Sequence, residues 1–126
     1  MNSKLLIAGI SLVIGCAAQS SVPLACNTKA FTASERTDWN ARVKQVMSSV
    51  TAVKDLSDGY TFEIDTHGTS FLDVARWVEL ERKCCLFFIF ELGMRGDNGN
   101  VWLNLRGGKG VKEFIASDFH ALFDRK

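Results

Sequence analysis

The chain has 126 residues, of which 47% are hydrophobic and 23% charged, with a formal net charge of +1. That is the size and composition of one ordinary globular domain, and too short for two. The near-zero charge excludes the basic excess that nucleic-acid-binding domains carry.

Lys4 and the uncharged apolar run from Leu5 to Ile14 read as a targeting segment. The run is shorter than the roughly 20 residues a membrane span needs. It ends in Val13-Ile14-Gly15-Cys16, which resembles the bacterial lipobox, with Cys16 as the lipidated residue. The competing expectation is an ordinary signal peptide cut near Ala17-Ala18. Ala17 in place of an aspartate implies, by resemblance to Gram-negative lipoproteins, the periplasmic side of the outer membrane. The expected organisation is a signal peptide over 1–15, a tether over 16–31 and a domain over 32–126. Loss of Lys4 leaves 14 basic and 14 acidic side chains. The lipid, rather than charge, would then hold the domain at the bacterial envelope.

The stretch from Ala17 to Ala30 is small and polar and carries the only proline, Pro23, as flexible linkers do. Cys26 lies within it. Thr32-Ala33-Ser34-Glu35 forms a capping box. Trp39, Val43, Val46, Met47, Val50 and Val53 make one helical stripe, predicting a helix from about Ala33 to Lys54. Asp58-Gly59 signals a turn. Tyr60, Phe62 and Ile64 alternate with polar residues, as in a strand with one wet face.

Ser70 and Asp73 open a second helix, expected from about Phe71 to Cys84. Its buried side is Phe71, Val74, Ala75 and Val78, with Trp77 and Leu80 on a neighbouring strip, and the first stripe continues into Glu81 and Cys85. Phe87 to Met94 reads as a strand apolar on both faces at its start, hence central. Asn98-Gly99 marks a hairpin loop, and Val101, Leu103 and Leu105 alternate in the partner strand. Gly107-Gly108-Lys109-Gly110 lacks the spacing of a phosphate loop. The last helix places Val111, Phe114, Ile115, Asp118, Phe119 and Leu122 on one side. The expected class is α+β, in the order α-β-α-β-β-α, with a three-stranded sheet packed by helices.

With Cys16 lipidated, three cysteines remain, and an odd number cannot pair fully within one chain. Three chemistries compete. In one, Cys26 bridges to Cys84 or Cys85 and the cysteines are structural, within an interaction domain. In another, Cys84 and Cys85 do thiol redox chemistry. There is no C-x-x-C, the pair sits at a helix C-terminus that disfavours thiolate, and neighbouring Cα atoms about 3.8 Å apart fall short of the usual disulfide window of about 4.4–6.8 Å. In the third, Cys84 and Cys85, joined by Cys26, bind a soft ion. Thiolates select Hg(II), Cu(I) and Zn(II), and three of them suit Hg(II) or As(III). Zn(II) would take a fourth ligand, for which Glu81 is the candidate and His67 a weaker one. A salt bridge to Arg82 or Arg106 competes for Glu81.

The chain also resembles a family of small bacterial proteins. The resemblance rests on Ala25-Cys26, Ala33-Ser34-Glu35-Arg36, Gly59-Tyr60, Leu80-Glu81-Arg82-Lys83-Cys84-Cys85, Trp102-Leu103-Asn104-Leu105 and Gly110-Val111-Lys112-Glu113-Phe114. It departs at Leu86, where the family has proline. The resemblance implies the importance of these residues and not a reaction. A paired cysteine that hands on Hg(II) is also a local feature of mercuric reductases. The expectation is therefore a membrane-tethered lipoprotein that sequesters a thiophilic ion, or passes it to a metal-handling partner, and does not turn over a substrate.

Overall fold

A four-stranded antiparallel sheet in the order β1-β2-β4-β3 carries the fold. The computed structural model describes residues 22–124. The expected signal peptide and lipidation site, Cys16, lie outside them. The strands are β1 (Val50–Leu56), β2 (Gly59–Ile64), β3 (Ile89–Met94) and β4 (Val101–Arg106). The helices are α1 (Ala33–Ser48), α2 (Phe71–Cys84), α3 (Val111–Asp118) and the short α4 (His120–Phe123), with a 3-10 turn at Thr28–Ala30. The α+β class stands, and the sheet has four strands where three are expected. Among the described residues no helix is long and apolar enough to cross a membrane.

The additional strand comes from the expected first helix. Its stripe continues through Val50 and Val53, but α1 stops at Ser48 and those valines enter β1. The Ser48 and Ser49 hydroxyls donate back to the Lys44 and Gln45 carbonyls, closing the last turn. The β-branched run that follows finds a partner in β2 across the turn at Ser57-Asp58. Strand pairing thus overrides helical spacing.

The strand expected over Phe87–Met94 begins at Ile89 and lies at a sheet edge, not at its centre. Phe87 and Phe88 are buried, but by aromatic packing ahead of the strand. Both meet the Phe114 ring edge-on, with centroids 4.8 and 6.0 Å away. Such packing satisfies two apolar residues in a row without a second sheet neighbour.

Phe62, Ile64, Val101, Leu103 and Leu105 form the sheet's buried side and join Val74, Trp77, Leu80 and Ile115 in one core. Both long helices begin with the expected capping boxes, Thr32 with Glu35 and Ser70 with Asp73. Arg42 and Arg76 share Asp38, and Arg42 also reaches Asp73, so charge bridges join α1 to α2. These elements aim the end of α2, with Glu81, Cys84 and Cys85, toward α1 and the N-terminal segment.

Candidate metal centre

The apolar stripe of α2 buries Val74, Trp77 and Leu80, and its last turn carries Glu81 and Cys84 into the same interior. Glu81 is 2% exposed, Cys84 1% and Cys85 0%. Cys85 is the C-cap, where the backbone leaves helical geometry. This turns its side chain back toward its neighbour. The two sulfurs lie 3.3 Å apart.

Cys26 comes from the segment whose composition suggests a tether. Here residues 26–31 are fastened to the domain. The Asn27 N–H donates to the Cys84 carbonyl at 2.8 Å, Arg36 reaches the Thr28 carbonyl, and Phe31 is buried against Trp39. Cys26 is disulfide-bonded to Cys85, with 4.7 Å between their Cα atoms. Cys84 is the free thiol among the described residues. The bridge spans residues distant in sequence and avoids the short Cα separation that disfavours a Cys84–Cys85 bond.

One ligand atom from each of Cys26, Glu81, Cys84 and Cys85 lies within 4.8 Å of the others. Cys26 is the least buried of the four. His67 is not among them; it is exposed and pairs with Asp65. Glu81 also lacks the salt bridge weighed for it. Arg106 is taken by Asp58 and Glu91, and Arg82 is exposed. The Glu81 carboxyl instead accepts a hydrogen bond from the Trp39 indole N–H at 2.6 Å.

A carboxyl with a neutral donor and no cation is costly to ionise when buried. Burial pushes the Glu81 pKa up to about 7; the Trp39 hydrogen bond opposes the shift and the charge of Asp118 adds to it. Burial also pushes the Cys84 thiol up to about 12, helped by the Glu81 charge. Asp118, although largely exposed, is raised by partial desolvation, with His120 opposing. Burial is the largest cause of all three shifts, and neighbouring negative charge adds to it only at Glu81 and Cys84. A bound cation opposes these shifts and stabilises carboxylate and thiolates together.

Two contributors are absent from the ligand set expected from sequence. Trp39 reads only as the first member of the α1 core stripe. Asp118 is visible as an acidic residue on the apolar side of the last helix, and that mismatch is its signal. Comparisons with protein-family models, curated proteins and solved structures return no match.

Proposed function

We propose that the domain, with its disulfide reduced, binds a thiophilic metal ion or metalloid through Cys26, Cys84 and Cys85, with Glu81 as a fourth ligand. The observation that supports this is the approach of four soft or anionic ligand atoms to within 4.8 Å of one another. Three sulfurs favour Hg(II), As(III) or Cu(I), and the carboxylate completes a set acceptable to Zn(II). The disulfide consumes two of the three sulfurs, so ion binding and the bridge are mutually exclusive. The domain is then a binder whose capacity depends on thiol reduction, suited to sequestering an ion or passing it to a partner. Lipid on Cys16 would hold it at the bacterial envelope, which metabolic labelling of the wild type and of a Cys16→Ser variant tests.

The test is titration of the full chain with Cd(II), a spectroscopically convenient soft ion, before and after reduction by a dithiol that is then removed. One equivalent is expected to bind the reduced protein, with thiolate-to-metal charge-transfer absorbance and proton release. The oxidised protein and Cys84→Ser should bind at least about tenfold more weakly, a loss of roughly 1.4 kcal/mol. Equal weak binding by all three would refute the assignment.

The bridge supports a second reading, in which Cys26 and Cys85 only fasten the N-terminal segment and the domain is an interaction module. That reading gains if the reduced protein keeps its fold and takes no ion. Thiol redox catalysis is less well supported, because a thiol pushed up to about 12 is protonated at neutral pH and thiolate is the attacking species.

A further inference from the structure

A cleft of about 330 Å³ opens between α1 and the α3–α4 segment and includes Cys26 and Glu81 in its lining. Its walls are Trp39, Val43, Met47, Phe119 and Leu122. A bare ion needs only its ligand atoms around it. The adjoining hydrocarbon-walled volume is far larger than an ion requires. An apolar cavity of about 150 Å³ already accepts benzene, and small-molecule sites begin at about 300 Å³.

The polar part of the lining is as selective as the apolar part. Glu81 and Asp118 contribute carboxyl groups, and among the described residues no lysine, arginine or histidine lines the cleft. An anionic or neutral polar ligand would meet two carboxyl groups and few hydrogen-bond donors among these lining residues. A ligand that fits carries positive charge at a thiophilic atom and an apolar group beside it.

We infer that the centre takes organometal cations, of the form R–M⁺ with one aryl or alkyl group, the metal bound by the cysteine sulfurs and the organic group seated in the Trp39–Val43–Phe119 cleft. This rests on the ion-site reading and names its substrate class. Binding replaces a thiol S–H by an S–M bond and releases the proton to solvent. The carbon–metal bond is left intact, so no further reactant is required.

The experiment uses the reduced full chain in competition with excess small thiol, and the probes phenylmercury, methylmercury and Cd(II). Phenylmercury should bind at least about tenfold more tightly than methylmercury, since burial of the ring adds to the shared sulfur–metal bond. Ala121 also lines the cleft, so Ala121→Trp, which fills it, and Val43→Ser, which makes its wall polar, should each abolish that preference and leave Cd(II) affinity unchanged. Equal binding of the two organomercurials by the wild type, or a preference that survives both variants, overturns the inference while leaving the ion site in place. Failure of all three probes to bind overturns the ion site, and the inference falls with it.

Discussion

Glu81 is where the cost of the centre can be measured one side chain at a time. Its carboxyl has an ordinary value of 4.5 and titrates at about 7 in the folded protein. The folded state therefore holds a proton that the unfolded chain has released between those values. Stability is fully retained below about 4.5 and is lost as pH rises through about 7. The loss amounts to roughly 3 kcal/mol at most. Glutamine at this position keeps an oxygen for the Trp39 N–H and cannot ionise. Urea unfolding of the oxidised protein at pH 5 and pH 8 should show a marked fall in midpoint for the wild type. Glu81→Gln should show a much smaller one, and parallel falls would mean that Glu81 is solvated. An ion bound at the proposed site would act in the opposite direction, because it would stabilise the ionised form and make affinity rise with pH.

At the scale of elements, the Cys26–Cys85 bridge closes a loop across a sequence separation of 59 residues. By chain entropy that constraint is worth about 4 kcal/mol. Cys26→Ser is expected to lower unfolding stability by about that amount, and dithiothreitol should then have little further effect on the variant. A drop of equal size on reducing the variant would show that something other than the bridge is being lost. The β2–β4 pairing makes a separate demand. A Cβ built on Gly59 overlaps the Leu105 carbonyl oxygen of the facing strand. Gly59→Ala should cost about 1–3 kcal/mol in thermal or urea unfolding. An unchanged midpoint would show that the strands separate there at no cost. These contacts also explain what the sequence could convey. Capping boxes and the Asn-Gly hairpin are local, so α1, α2 and the β3–β4 turn are legible from a few residues. The end of α1 is not, because Val50 and Val53 suit either a helical stripe or a strand, and pairing with β2 decides between them. The edge position of β3 depends on Phe114 covering Phe87 and Phe88 from α3, a contact with no local signature. At the centre, Cys84, Cys85 and Glu81 are neighbours on one helix and could be grouped in advance. The pairing of Cys26 with Cys85 depends on where the N-terminal segment docks, which composition alone does not determine.

For the molecule as a whole, the N-terminal segment is the part that redox state and ion would control together. Among the described residues it is held by the bridge, by the Asn27 N–H to the Cys84 carbonyl, by Arg36 on the Thr28 carbonyl and by burial of Phe31. Reduction removes the one covalent tie. The remaining contacts are a few hydrogen bonds and one aromatic side chain, the kind of local structure that opens well below the global unfolding free energy. An ion shared by Cys26, Cys84 and Cys85 would fasten the segment again, now through coordination, and would stabilise the closed form by mass action. Lys29 lies inside the segment, in an exposed 3-10 turn, and offers trypsin a site. Cleavage after Lys29, followed by mass spectrometry, should be slow in the oxidised full chain and faster by at least about tenfold after reduction. Saturating Cd(II) should return the reduced protein to the slow rate, and Cys84→Ser should weaken that rescue. If reduction accelerates cleavage and Cd(II) does not slow it, Cys26 is outside the ion's coordination sphere and the site contracts to Cys84, Cys85 and Glu81. If reduction changes nothing, the hydrogen bonds and Phe31 alone hold the segment, and release of the bridge cannot be how the protein exposes its sulfurs.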